Sequence, residues 1–336
     1  MSDGRKIYVK ASAQISVQQP LSEEWITAPV WHNEPYTRSI DPNFREWLNP
    51  LESRRLGKIL KRALITSLKV MRDTGITQPE AIITGTGLGC IDYTEQFLDQ
   101  LCREGEEMLK PTYFMQSTHN TISSLIAIYQ KCHGYNSTYS HRGVSFDSAL
   151  FDAFIQLKMG DIANALVTAN DELTPTYFKI LQRVGFVGVP GQVTASEASV
   201  AMILSEEPEQ ALCEIVDMRM CFGQPDTVAW PTDVDAVLVG LNGSELNDRA
   251  YDFVHQRYAS VPMLRYKHLF GECYSASGLG IYAAAHLLSQ GKAPSFMRCD
   301  GKDDGKETVL PLNRLLVVNH SDSDNFSYVL MQRVEE

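Results

Sequence analysis

No stretch of the chain approaches the roughly 18 consecutive apolar residues of a membrane span. The charged start, Ser2-Asp-Gly-Arg-Lys6, has no apolar signal-peptide core. No span and no secretion leader are therefore expected. Cysteine is sparse: seven residues, odd in number and scattered, with no Cys-x-x-Cys or zinc-like Cys/His spacing. That usage excludes a disulfide framework and gives no reason to expect a metal, so a reducing cytoplasm is the expected home. Positive charge is also short. Thirty Lys and Arg face 41 Asp and Glu for a net charge of −11, which argues against a general nucleic-acid binder.

What is present is a large apolar content, 44% of 336 residues, enough for two ordinary domains or one duplicated body. Strand-like runs alternate with helical patterns. Lys6–Ser16 reads as an opening strand, Glu52–Thr74 as one long amphipathic helix ended by Gly75, and Ala81–Gly89 as a buried strand entering a glycine turn. Ile91–Glu104 and Thr121–Gly134 read as helices, Pro175–Thr194 as a loop-rich stretch, and Ala198–Leu204 and Leu212–Met220 as strands. The second half repeats this grammar: strand Ala236–Leu241, helix Asn247–Tyr258, helix Gly278–Gln290, then strands Leu315–Asn319 and Tyr328–Arg333. Asp300–Glu307, acidic and glycine-bearing, reads as an exposed loop. The alternation predicts an α/β protein of mixed, mainly parallel sheets covered by helices on both faces. The halves divide near Pro208, as 1–207 and 208–336, and pack as one body.

One basic stretch stands out: Arg54, Arg55, Lys58, Lys61 and Arg62. In a helix, 54, 58 and 61/62 share a side while Leu56, Ile59, Leu60 and Ala63 lie largely opposite. A solvated face and a docking patch for an acidic partner both fit.

Several motifs invite chemistry. Gly143-Val-Ser-Phe-Asp147 matches the Gly-x-Ser-x-Gly elbow of α/β-hydrolases except at its last position, making Ser145 a nucleophile candidate with His286 or His320 as base. His286 lies in an Ala/Leu-rich helical pattern and reads better as structural. Cys273 is a candidate thiol, though cysteine is commonly a small core residue. His119 and His141 have no metal-site spacing. Gly85-Thr-Gly-Leu-Gly89 lacks the G-x-G-x-x-G pattern of a dinucleotide loop, so its glycines are expected to serve close backbone packing, and no cofactor is expected.

Residues 139–172 run Tyr-Ser-His-Arg-Gly-Val-Ser-Phe-Asp-Ser-Ala-Leu, an apolar helix to Gly160-Asp161, and the strand Asn164-Ala-Leu-Val-Thr-Ala. This layout resembles the nucleophile segment of a β-ketoacyl synthase: strand, sharp elbow, helix ending in Gly-Asp, strand. Further stretches resemble that family in its own order. Arg54–Gly75 with Ala81–Gly89 is similar to the helix, strand and glycine turn before the acyl-binding region, and Gly134-Tyr-Asn-Ser-Thr138 to the approach to the nucleophile strand. Ser196-Glu-Ala-Ser199 resembles the Gly-Glu-Gly segment, and Gly240-Leu-Asn-Gly-Ser-Glu-Leu-Asn-Asp248 the His-Gly-Thr-x-Thr-x-x-x-Asp motif. Tyr266-Lys267-His-Leu-Phe-Gly271-Glu272 resembles Thr-Lys-Ser-x-x-Gly-His, and Val317-Val-Asn319 the strand before the terminal Asn-Ser-Phe-Gly turn. The resemblance implies the duplicated, five-layered α-β-α-β-α fold of thiolase-like enzymes.

The departures carry the functional reading. Ketosynthases hold the acyl chain on a cysteine, and two histidines stabilise the extender's carbonyl and enolate. Here the thiol slot, counted back from Gly160, falls on Gly143 within about two positions. The nearest cysteines are Cys132 and Cys213. The first histidine slot falls on Gly240 or Leu241 and the second on Glu272, whose carboxylate would repel a malonyl group. Lys267 alone is kept. Glu272 either pairs with Lys267 or another buried cation as structure, or acts as a general base in another reaction.

The resemblance therefore implies a non-catalytic partner of an active ketosynthase, the chain-length factor of type II polyketide systems. It extends to the shortened versions of aryl-polyene or flexirubin-type clusters, although the glutamine common at the slot of polyketide factors is absent. The alternative is an unconventional thiolase-fold acyltransferase or malonyl decarboxylase. The resemblance implies a heterodimer with that ketosynthase, or a homodimer. It makes Phe114 and Met115 tunnel-floor and interface residues, with Ser117, Thr118 and Asn120 as polar lining. Arg54, Arg55 and Lys58 become a docking patch for an acidic acyl carrier protein.

Overall fold

The computed structural model describes residues 4–106, 109–223, 225, 228–300, 309–321 and 324–334. Of the acidic loop expected at Asp300–Glu307, all but Asp300 lies outside them. Ten strands form one continuous sheet. They are β1 (Ile7–Ile15), β2 (Ala81–Gly85), β3 (Tyr135–Tyr139), β4 (Asn164–Asp171) and β5 (Ala198–Ser205), followed by β6 (Cys213–Phe222), β7 (Ala236–Val239), β8 (Met263–Arg265), β9 (Arg314–Ser321) and β10 (Asn325–Gln332). Their order is β3-β2-β4-β5-β1-β6-β10-β9-β7-β8. Each half thus shows the same five-strand pattern, and the halves meet where Ile7, Tyr8 and Val9 pair with Ile215, Glu214 and Cys213.

The sheet is more antiparallel than the alternation predicts. Among the described residues, only β2–β3, β2–β4, β7–β8 and β7–β9 run parallel. The other five ladders are antiparallel. At β9–β10 the cause is local: Ser321 pairs with Asn325, and so short a connection reverses the chain. The Pro208 division falls in the connection between β5 and β6.

Three buried clusters define the layers. The helices Ser145–Met159 and Ala276–Gln290 fill the space between the two halves of the sheet, with Phe146, Leu150, Leu279 and Leu287 in the central core beside Val167, Met202, Leu238 and Val317. The second helix is buried on every side from Ala276 to Leu288, which explains its uniformly apolar composition. Against the outer face of the N-terminal half lies the helix Lys58–Thr74, whose Ile59, Leu60, Ala63 and Leu64 pack on Ile82, Leu166 and Ile203. Trp230, Tyr251, Val254 and Tyr258 cover Val237, Leu316 and Tyr328 on the opposite outer face. β1 serves two layers because its register shifts between Val9 and Ala11. Ile7 and Val9 face the central core, whereas Ala11, Ala13 and Ile15 face the outer one, the expected result of one extra residue in a period-2 strand.

Other elements correct the sequence reading. The helix expected over Glu52–Thr74 is broken: Pro50–Ser53 is a separate short helix, and Arg54 and Arg55 occupy a turn. Gly57 is extended at φ −62° and ψ 166°, outside the helical region, and an added Cβ there would lie 2.6 Å from the Tyr93 ring. Pro175–Arg183, expected as loop, is a helix capped by Thr174, whose side chain accepts from Tyr177 N. The helix expected over Asn247–Tyr258 is two short ones, Glu245–Arg249 and Asp252–Arg257. Among the described residues, no helix is long and apolar enough to cross a membrane.

Candidate functional site

The central helix Ser145–Met159 begins at a tight elbow. Arg142 has φ = 50°, a left-handed conformation that costs a side-chain-bearing residue free energy. Ser145 stabilises the turn: its Oγ donates to Arg142 O at 2.6 Å and accepts from His141 N at 2.8 Å. It is fully buried. Ser145 is therefore part of the elbow's own wiring, which removes it as a hydrolase nucleophile.

Gly143 follows on the wall of a cavity of about 520 Å³. A Cβ there would lie 3.2 Å from Ser321 Oγ and 3.3 Å from Ser321 Cβ, so a side chain at 143 would press tightly on the neighbouring strand β9 and require Ser321 to shift by a few tenths of an ångström. β9 and β10 also fasten the elbow. Asn319 Nδ2 donates to Gly143 O and to Asp147 Oδ2, both at 2.9 Å, and Ser327 Oγ donates to Asp147 Oδ1. Burial raises the Asp147 carboxyl pKa despite these donors.

The opposite wall is built by two turns. After β8 comes the short helix Lys267–Phe270, and Gly271 (φ = 79°) then turns the chain back. A Cβ at 271 would meet Ser196 Cβ at 2.6 Å. This reversal seats Glu272 beside Ala195 through Glu272 N–Thr194 O and Ser196 N–Glu272 O bonds of 2.8 Å each. Lys267 Nζ donates to Glu272 Oε2 at 2.8 Å with both side chains buried. The other turn follows β7, where Asp248 accepts from the amides of Asn242 and Gly243. Asn242 Oδ1 accepts from Ser244 N at 2.9 Å, which aims Nδ2 at Glu272 Oε2, 2.7 Å away. Glu272 Oε1 has no partner among the described residues.

Asn242 is the residue the sequence reading missed. Gly240 lies off the cavity, where an added Cβ would meet Tyr251 Oη at 2.7 Å and Lys267 Cε at 3.0 Å. The motif's own glycine was the available signal: matching its His-Gly on Asn242-Gly243, rather than counting back from Asp248, puts Asn242 at the leading position.

Cys273 also lines the cavity. Burial, followed by the carboxylates of Asp171 and Glu272, pushes its thiol well above the ordinary range, and nearby Lys267 offsets this only in part. A thiol so placed is a poor nucleophile. His320 Nε2 is 2.9 Å from Asn247 O, and its ring meets the Tyr251 ring edge-on at 4.7 Å. His286 is in the core, 3.7 Å from Glu23 and against Tyr282, and His141 Nδ1 lies 2.9 Å from Ser148 Oγ.

The glycine turn after β2 spends its donors inside the protein. Asp171 accepts from Gly87 N, Leu88 N, Thr86 Oγ1 and Ser275 Oγ. A Cβ at Gly85 would lie 2.5 Å from the Phe146 backbone, so that glycine permits strand-to-helix contact. Among the described residues, no group of three or more His, Cys, Asp or Glu side chains is arranged to hold a metal ion.

The remaining candidates lie elsewhere. Phe114 and Met115 are 60% and 71% exposed, and neither they nor Ser117, Thr118 and Asn120 line the cavity; within a single chain they form no tunnel floor. The basic stretch separates into different roles. Arg54 and Arg55 are exposed, Lys58 pairs with Asp41 at 3.0 Å, and Lys61 sits over the Phe44 ring. Arg62 is buried between Asp41 and Glu197.

Residues 25–229, more than half of the chain, match the family model described as beta-ketoacyl synthase, N-terminal domain. No curated protein sequence matches. Among solved structures, the chain resembles the ishigamide ketosynthase/chain length factor at TM-score 0.80 and 14% identity, covering 99% of this chain and 100% of that one. It resembles a ketosynthase (ApeO) in complex with its chain length factor (ApeC) from Xenorhabdus doucetiae at 0.75 and 13%, covering 98% of each. A type II polyketide ketosynthase bound to its acyl carrier protein, AntDE:AntF, scores 0.77 at 11% identity, with 98% and 100% covered. At these identities the likeness establishes a shared fold.

Proposed function

The chain belongs to the β-ketoacyl synthase family, and we propose that it serves there as a non-catalytic subunit, a chain-length factor paired with an active ketosynthase in fatty-acid- or polyketide-type chain elongation. The observation that carries this reading is the make-up of the cavity. Condensation needs a thiolate at the elbow and neutral donors facing the extender's carbonyl. Gly143 stands at the elbow, and the facing wall presents a carboxylate locked to Lys267 and Asn242. The alternative acyltransferase or decarboxylase would have to work through Glu272 or Cys273. The raised thiol pKa of Cys273 disfavours that route.

The partner's place is supported by the sheet edge. Among the described residues, β3 ends the sheet and leaves one side of its backbone without a partner strand, the kind of edge that a second chain can extend. Tyr135 on β3 itself, Ile128 on the helix packed against it, and Phe114 and Met115 on the next short helix are exposed apolar side chains, suited to burial against an active ketosynthase. On this reading Phe114 and Met115, with Ser117, Thr118 and Asn120, line the shared interface and help to bound the acyl tunnel there. The exposed cations Arg54 and Arg55 suit an acidic acyl carrier protein, with Lys58 beside them already engaged by Asp41. The halves 1–207 and 208–336 act as one body, and the seven free cysteines suit a reducing cytoplasm. Co-expression with an active ketosynthase of the same type, followed by native mass measurement, tests the pairing. A one-to-one complex is expected, and two species that never associate would refute it.

A further inference from the structure

We infer that the cavity itself binds an uncharged, apolar-chain ligand that carries a hydrogen-bond donor, such as a fatty amide, and that the Lys267–Glu272 pair turns carboxylates away. The inference rests on the reading that this chain performs no condensation of its own. It gives the retained cavity a ligand class that condensation, which needs an anionic malonyl extender, would not select.

Three observations carry it. First, the space is there: about 520 Å³, within the size range of small-molecule sites, and Gly143 contributes no side chain to it. Second, although Ser244, Asn247 and Asn319 on the lining carry polar donors, among the described residues the lining offers an anion no uncommitted counter-charge. Its charged groups among the described residues are Lys267, Glu272 and Asp324. Lys267, the cation among them, is bonded to Glu272 Oε2 at 2.8 Å. An entering carboxylate would therefore lose its hydration without gaining a counter-charge. Third, Glu272 is half used. Oε2 accepts from Lys267 and Asn242, whereas Oε1 has no partner among the described residues. A fixed carboxylate with a spare acceptor favours an N–H or O–H donor. The apolar part of the ligand is accommodated by Val184, Phe186, Leu246 and Tyr274 on the same lining, with Phe186 and Tyr274 stacked at 5.3 Å.

The test is calorimetric titration of the purified chain with octanamide and with octanoate. These probes share a chain length and differ in charge and donor content. Wild type is expected to bind octanamide at least about tenfold more tightly than octanoate. In Glu272→Gln, which leaves Lys267 without its counter-charge, the preference is expected to vanish or reverse. The double variant Lys267→Gln/Glu272→Gln removes both charges at similar volume, and serves if the single variant fails to fold; there the two affinities should converge. Equal or tighter octanoate binding by wild type, no binding of either probe, or a preference that survives both variants would overturn the inference. Because these titrations use the chain alone, amide binding without ketosynthase pairing would leave this inference standing and remove the partner role. Pairing without amide binding would do the reverse.

Discussion

Lys267 Nζ and Glu272 Oε2 are 2.8 Å apart, with side chains only 6% and 8% exposed. The pair closes over the four residues between them, the end of the Lys267–Phe270 helix and the turn at Gly271. Removing one partner leaves the other charge buried alone, so Glu272→Ala is expected to destabilise the chain by about 3–5 kcal/mol. Lys267→Met/Glu272→Leu, which removes both charges at comparable volume, should cost far less. Chemical denaturation of the two variants checks this; equal losses would show that the pair has no net coupling.

Glu172 supplies a pH signature. Burial pushes its carboxyl up to about 8, from an ordinary value of 4.5. An acid whose pKa is raised by folding holds its proton more tightly in the native state. Its contribution is complete below about pH 4.5 and is lost as pH rises toward 8. Stability should fall across that window by on the order of 5 kcal/mol from this group. Asp147 and Asp171, also raised by burial, act in the same direction. Glu172→Gln isolates the share of Glu172: it should flatten part of the decline and exceed wild type in stability at pH 8. A variant with the wild-type profile would reassign the effect.

Arg54 and Arg55 are exposed in the turn before the Lys58–Thr74 helix. Arg54→Glu/Arg55→Glu should weaken binding of an acidic carrier protein by about tenfold at low salt, with the difference shrinking as salt rises. The fold should be unaffected, because neither side chain is buried. Carrier affinity measured by calorimetry at two ionic strengths decides it; unchanged affinity would remove the patch from the account.

Phe114 is in contact with Phe97 at 5.5 Å but is otherwise exposed, as is Met115. Alanine at either position should alter the stability of the isolated chain by less than about 1 kcal/mol. In a complex the same changes should weaken association or lengthen the product, as loss of an interface anchor would. Unchanged affinity together with unchanged product length would show that the segment faces solvent in the working assembly.

Much of the fold was legible because its signals are local. Long apolar runs such as Ala81–Gly85, Asn164–Asp171 and Ala198–Ser205 are strands buried on both faces, and Gly160 ends its helix in the left-handed conformation. What escaped was set by contacts distant in sequence. The Tyr93 ring packs on Gly57 at the break from 36 residues away, and the burial of Arg62 depends on Asp41 and Glu197. The site divides in the same way. Gly143, Lys267 and Glu272 were legible from motif order and do meet at one cavity. Asn242 was not, because the loop between β7 and Asp248 is shorter than the motif it resembles, and counting from one end shifted the slot to Gly240.

The most direct test of the central claim is a condensation assay with malonyl-loaded carrier protein, run on this chain alone, on an active ketosynthase alone, and on their one-to-one complex. The account predicts no condensation and no decarboxylation by the chain alone, and elongation to a defined length by the complex. Turnover by the chain alone would contradict it and would move the chemistry to Glu272 or Cys273.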